Sequence, residues 1–306
     1  MMKRFMCGAL AAALVVGSIT APTTASAKKV KVPKANYTFN MNKKSSKVVA
    51  VTRKGDVNGK AGDAAKKKAK GGVMPTVNKK KKVMYKKGHK GKALYLDRTY
   101  GVQLKGVNLG NGSYTISFWV KIPNGVGDFT GMFFATSDMK DASCKWLSIT
   151  KRADLTENGG SPIIWSHVVN GNTNQFPWYC KNGVDKKTKK PVWTYGTAFD
   201  SKKWVHVVLA VDSKKKNYAE YGEKANKGKK TDGVDQYVKG PHGWTYINGK
   251  LYGNGVVAKG AVNSKSKFFL GINGWDTPAK AYYDDVQMWK KCLTAKQVKQ
   301  LYKNQK

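Results

Sequence analysis

"SYTISFWVKIP", Ser113 to Pro123, places an apolar side chain at every second residue. Ile116, Phe118, Val120 and Ile122 fall on one face, and Thr115, Ser117, Trp119 and Lys121 on the other. That is the period of a strand with one face in a core. "KWVHVVLAVD", Lys203 to Asp212, repeats it with Val205, Val207, Leu209 and Val211. "WTYINGKLYGNG", Trp244 to Gly255, reads as a hairpin, because Asn248-Gly249 suits a type I′ turn with positive φ at both positions. "ANYTFNMN" at 35–42, "SKFFLGING" at 266–274 and "AYYDDVQMW" at 281–289 are further strands. Turn-rich text such as "ENGGSP" and "EKANKGKKTDGVD" separates them, without alternating helices or a fixed repeat. The fold predicted is all-β, a two-sheet antiparallel β-sandwich or jelly roll.

One short C-terminal helix is expected beside the strands. Thr294 caps it and Gln297 reaches back, a capping box. Leu293 and Val298 suit a hydrophobic staple, and Val298, Leu301 and Tyr302 form one apolar stripe. A helix this short needs a surface to dock on.

The N-terminus has a different composition. Lys3 and Arg4 precede an apolar run from Met6 to Val16, and Ala25-Ser26-Ala27 offers small residues for cleavage. Residues 1–27 therefore read as a secretory signal peptide. The run is shorter than the ~20 residues that span a bilayer, so no transmembrane segment is expected. Residues 28–34 are a short basic tail, and residues 35–306 hold one sandwich domain. Lys43 to Lys92, with "AAKKKAK" and "VNKKKKVMYKKGHKGK", reads as a Lys-rich linker or decorated loop, and the strand-like text before it favours the loop.

Lys and Arg total 57 against 18 Asp and Glu, a formal charge of +39. Such a surface attracts polyanions in a salt-dependent way. Only Arg4, Arg53, Arg98 and Arg152 are arginines, so the planar fork used on phosphates and guanines is nearly absent. Sequence-specific nucleic acid is thus disfavoured against an extracellular glycan or an anionic cell-wall polymer. The plainer reading of the lysines is that they solvate loops. Beyond Cys7 the cysteines are Cys144, Cys180 and Cys292, too few for a disulfide scaffold. Cys144 and Cys180 flank the same central insertion and suit a bridge; three free thiols are the alternative.

"AYYDDVQMWKKCLTAKQVKQLY", Ala281 to Tyr302, resembles the closing strand and helix of laminin-G-like, concanavalin A-like jelly-roll domains. "GHKGKALYLDRTYGVQL" (88–104), "YTISFWVKIP" and "KWVHVVLAVD" followed by "WTYINGKLYG" resemble three other motifs of that family, in order. The resemblance covers about residues 35–306, poorly over Lys43–Lys87 and Asp138–Pro191. It implies a concanavalin A-like sandwich and a structural Ca²⁺, with Asp97 and Asp284 as ligands and Asp285 third; carboxylate oxygens suit that ion. Arg98 departs from the glycine the family often has there, which puts the metal in doubt. Without a metal, Asp284 caps a strand edge and Asp285 faces solvent.

Some folds of this kind hydrolyse glycosides, which in the retaining mechanism needs two carboxyl groups about 5–5.5 Å apart. Glu157, Glu220 and Glu223 lie in loop-like text, Asp232 and Asp235 flank a turn, and Asp284 and Asp285 alternate to opposite faces of a strand. His89, His167, His206 and His242 have no nucleophile near them in sequence. A non-catalytic module is expected, with a glycoside hydrolase as the last alternative. Loop aromatics beside amides and acids suit hydroxyl-rich ligands: Trp165, Trp178, Tyr179, Trp193 and Trp275, with Asp276. Trp119, Trp204 and Trp289 are assigned to packing. The functional reading is a secreted binding module for extracellular carbohydrate or an anionic surface polymer. Its rival is a structural or adhesive surface protein held by charge.

Overall fold

A computed structural model describes residues 30–56, 72–123, 129–139, 145–152, 161–167, 181–184, 191–193, 203–218 and 239–306. At 129, 152, 161–163, 165, 167, 181–184, 191–193, 216–218, 239 and 256 it describes the backbone alone. The chain divides into two units, Met1–Val30 and Lys31–Lys306, and every strand lies in the second.

The strands are β1 (Tyr37–Phe39), β2 (Val48–Thr52), β3 (Thr76–Val77), β4 (Met84–Lys87), β5 (Lys92–Asp97) and β6 (Gly101–Leu104). Next come β7 (Tyr114–Lys121), β8 (Phe129–Thr136), β9 (Trp146–Arg152), β10 (Ser161–His167), β11 (Lys181–Val184) and β12 (Pro191–Trp193). Then follow β13 (Val205–Tyr218), β14 (Lys239–Ile247), β15 (Lys250–Val256), β16 (Lys267–Leu270), β17 (Thr277–Pro278) and β18 (Lys280–Trp289), and helix α1 (Ala295–Gln305) closes the chain. Sheet A runs β15-β14-β13-β7-β18-β5-β4, with β1 also on β18. Sheet B runs β10-β9-β8-β16-β6-β2-β3, with β17 also on β8, and β11 pairs β12 separately. Pairing is antiparallel except for the two residues that join β17 to β8. This is the two-sheet β-sandwich with one short C-terminal helix that the alternation predicts.

The inward faces meet in one core. Ile116, Phe118 and Val120 of β7, and Val207 and Leu209 of β13, pack against Phe133, Leu147 and Phe268 of sheet B. Phe118 and Phe133 stack across it with centroids 6.4 Å apart. Tyr283 crosses the layer and donates its hydroxyl to the Met132 carbonyl at 3.0 Å. Asn248 and Gly249 both take positive φ, 51° and 75°, as the turn between β14 and β15 requires.

Helix α1 docks on the outer face of sheet A. The capping box of Thr294 and Gln297 is present, and Leu293, Val298 and Leu301 bury with Val208, Ala210, Tyr246 and Trp289. Each such side chain contributes roughly 1.5–3 kcal/mol. Tyr302 lies on the same docked end, stacked on Trp119, whose indole N–H donates to Gln305 Oε1 at 3.1 Å. The Lys-rich stretch at 43–92 carries strands of both sheets: β2 and β3 in sheet B, β4 and the first residue of β5 in sheet A. In β4, Lys86 and Lys87 are exposed and mask the strand pattern.

Candidate functional site

The outer face of sheet B carries the residues that come together best. Register aligns Trp165 of β10, Ser148 of β9, Phe134 of β8, Phe269 of β16 and Gln103 of β6 in one row. Successive side chains alternate across a sheet, so Ser148, Phe134, Phe269 and Gln103 face away from the core. The Gly271–Asp276 loop folds over this row. Gly271 allows the turn by taking φ 71°, and its N–H reaches the Met132 carbonyl.

Asn273, fully buried, is the hub of that loop. Its Oδ1 accepts from the backbone N–H of Trp275 at 2.9 Å and of Asp276 at 2.7 Å. Its Nδ2 donates to Asp276 Oδ2 at 2.6 Å and to Ser148 Oγ at 3.2 Å. Thr150 Oγ1 adds a donor to Asp276 Oδ2 at 3.2 Å. Arg53, buried at the foot of the loop, donates from Nη1 to the Asn273 carbonyl at 3.1 Å and pairs through Nε with Asp56 at 3.0 Å. Buried polar groups satisfied in this way rigidify what they hold.

The network presents a half-buried Trp275 beside a half-buried Asp276. The Trp275 indole lies 4.6 Å from Trp146 and edge-on to Phe134 at 5.8 Å, centroid to centroid. Gly72 closes its other side: a Cβ there would come within 2.5 Å of the indole, and Val73 N–H donates to the Gly274 carbonyl. Asn273, Ser148 and Thr150 are buried and serve as the support; what reaches the surface is an aromatic edge beside an oriented carboxylate, a pair that suits a ligand rich in hydroxyls.

Trp275 and Asp276 are therefore brought together; Trp165 lies on β10 opposite Ser148, where the backbone alone is described. Trp193 lies on β12, where the backbone alone is described, and Trp178, Tyr179, Cys144 and Cys180 lie outside the described residues. Asn273 went unnoticed in the sequence, although an Asn two and three residues before the amides it accepts from is an Asx-turn signal. Trp204, assigned to packing, is only half buried and touches Tyr282 and His89. Cys292 is a free, half-buried thiol whose pKa burial pushes up to about 11.

The aspartates do not converge on a calcium ion. Asp97 lies opposite Lys280, while Tyr283 lies opposite Leu94. Asp97 and Asp284 are thus about four positions apart along the strands, roughly 13 Å. Asp97 accepts from the Thr99 amide at 3.0 Å and pairs with Lys81 at 3.6 Å. Burial pushes its carboxyl up, but the Thr99 hydroxyl, amides and Lys81 outweigh that and hold it below the usual range. Asp284 is fully buried; its Oδ2 accepts the N–H groups of His89 at 3.0 Å and Lys90 at 3.2 Å, and its Oδ1 that of Asp285 at 2.9 Å. Oxygens surrounded by N–H donors are poor ligands for a cation. Among the described residues, no three His, Cys, Asp or Glu gather as a metal site. The simple alternation expected of Asp284 and Asp285 also fails. A bulge between Asp284 and Gln287, with Asp285 at φ 43°, leaves Asp285 under the charges of His89 and Lys90. Arg98 takes φ 78°, the left-handed conformation that glycine adopts without strain.

No protein family and no curated protein matches the chain. Among solved structures it is similar to domain 4 of AbnA, a GH43 extracellular arabinanase from Geobacillus stearothermophilus, in complex with arabinotriose. The identity is 22%, covering 72% of this chain and 82% of that one, with a TM-score of 0.45. It is similar too to the botulinum neurotoxin type G receptor-binding domain, at 14% identity over 85% of this chain and 52% of that one, TM-score 0.44. A third is the serotype D ligand-binding domain in complex with N-acetylneuraminic acid, at 12% identity over 87% and 52%, TM-score 0.41. The chain spans about half the length of these two neurotoxin domains. Among the described residues no helix is long and apolar enough to cross a membrane.

Proposed function

We propose that this chain is a secreted, non-catalytic binding module that recognises extracellular carbohydrate through the outer face of sheet B. The observation that carries the reading is the Asn273 hub, which fixes Asp276 and Trp275 side by side on a rigid strand face. A sugar lies against the half-buried edge of the indole that Trp146, Phe134 and Gly72 leave open, and its hydroxyls reach the Asp276 carboxylate. The signal-like residues 1–27 favour a ligand outside the cell, and the resemblance to laminin-G-like motifs favours a binding module. The rival reading, an adhesive protein retained by charge, draws on the net +39.

A neutral glycan array read in low and moderate salt, repeated with Trp275→Ala, separates the two. Selective binding that survives salt and disappears in the variant supports the pocket. Binding only to polyanions, lost with salt and indifferent to Trp275, overturns it.

A further inference from the structure

Sheet A has its own outer face, and only part of it is roofed. Helix α1 covers Val208, Ala210 and Tyr246, and the turn between β4 and β5 lays His89 on Trp119 with ring centroids 3.9 Å apart. Beyond that cover, register sets Tyr95 opposite Tyr282 and Tyr282 opposite Lys121. Trp204 continues the row, since the next residue, Val205, pairs with Val120. At ~4.8 Å between strands the row is roughly 14 Å long. All four side chains are half buried.

The rings are already arranged as a platform. Tyr95 and Tyr282 lie 4.8 Å apart and Trp204 and Tyr282 6.3 Å apart, centroid to centroid. Lys86 Nζ rests 3.8 Å over Tyr95, and Lys121 Nζ 4.7 Å over Tyr282 and 5.5 Å over Trp204. The bordering carboxylates are engaged elsewhere, Asp97 with Lys81 and Thr99, and Asp284 with backbone N–H groups. Among the described residues neither Lys86 nor Lys121 has an ion-pair partner. The platform offers aromatic faces and positive charge together, and lacks only the anion.

We propose that this row binds an anionic polysaccharide. Its sugar rings lie on Tyr95, Tyr282 and Trp204, and its acidic groups draw the two ammonium groups off the rings into ion pairs. Lysine is a mobile point charge and lifts from a ring without disturbing the strand. None of the chain's arginines lies in the row, which favours a sugar acid over a nucleic acid, where the planar fork is the usual reader. This site is independent of the one on sheet B, on the opposite face of the sandwich.

The test is titration of the full-length mature protein with polygalacturonate, heparin and single-stranded poly(dT). Wild type, Tyr282→Leu, Trp204→Leu, the Lys86→Gln/Lys121→Gln double variant and Trp275→Ala are compared, each first shown to melt cooperatively. Binding of polygalacturonate or heparin is expected, the better of the two naming carboxylate or sulfate as the anion. Either ring variant should weaken it about tenfold. The double lysine variant should weaken it and lower the salt slope by about 2, one for each lost contact. In a Trp275→Ala background the same ring and lysine losses should persist. Ring variants that bind like wild type overturn the proposal, as does binding of neither polysaccharide at low salt. Poly(dT) bound as tightly with the same ring dependence reassigns the row to single strands, and loss in Trp275→Ala alone moves the anion site to sheet B.

Discussion

The two outer faces of the sandwich are finished in different ways. On sheet A, α1 roofs half the face with apolar side chains and leaves the other half to a ladder of rings and lysines. On sheet B, the Gly271–Asp276 loop roofs part of the face with a buried hydrogen-bond network anchored on Ser148 and Thr150. A strand presents the same alternation to either side, so what lies over a face decides whether it packs or binds. An apolar roof tolerates sliding; a hydrogen-bonded one fixes each donor and acceptor. The first leaves an open platform at its margin, and the second holds its own two exposed residues in register.

The sharpest way to break this contrast is to lift the apolar roof. Leu301→Ala, at a buried contact of α1, should cost about 2–5 kcal/mol in a denaturant titration. A loss under 1 kcal/mol would mean that the helix rests on sheet A without holding it.

Asp284 tests the border of that roof. Burial raises its carboxyl to about 6, the Asp285 charge adds to this, and the amides of Lys90, Asp285 and His89 pull the other way. Its folded pKa thus stands above the unfolded value of about 3.9, so the folded state holds the proton more tightly. The stability it contributes is complete below about pH 4 and is lost as pH rises through about 6. The melting advantage of wild type over Asp284→Asn should shrink over that window, by no more than about 3 kcal/mol. A difference constant from pH 4 to 8 would contradict it.

On sheet B, Asn273→Ala strands two backbone N–H groups and frees Asp276, for roughly 2 kcal/mol of stability. Neutral-sugar affinity should fall with it, even at a temperature where the variant is fully folded; unchanged affinity would separate the hub from the site. At the small end, Lys121→Gln removes a cation from two half-buried rings and should cost at most about 1 kcal/mol. A larger loss of thermal stability would make the lysine a structural prop rather than a ligand contact.

Much of the fold was legible because its signals are local. The alternation of β7 and β13, the Asn248-Gly249 turn and the Thr294 capping box each lie within a dozen residues, and each appears as read. Within 43–92, β4 was hidden because its exposed positions are Lys86 and Lys87, while β2 and β3 carry no lysine and are short strands between lysine runs. At the site, Trp275 and Asp276 were visible as residue types, while the Asn273 hydrogen bond to Ser148 joins segments 125 residues apart, which no spacing encodes. The acidic pair misled for the same reason. Asp284 serves amides almost two hundred residues earlier, and the Asp285 bulge breaks the alternation on which the face assignment rested. Trp204, assigned to packing, does meet rings, but only half buried, and its neighbours come from the β4–β5 turn and from β18, which spacing in sequence does not reveal.

The placement of β18 has a temporal consequence. This strand lies in the interior of sheet A, between β7 and β5, and also carries β1, with Tyr37 opposite Met288. A chain delivered from its N-terminus therefore holds β1, β5 and β7 with bare edges until β18 emerges. Pairings this far apart in sequence are slow to close. Until then the exposed edges are open to other chains, and the lysines along β4 and the ends of β5 and β7 supply the mutual repulsion that keeps such edges apart.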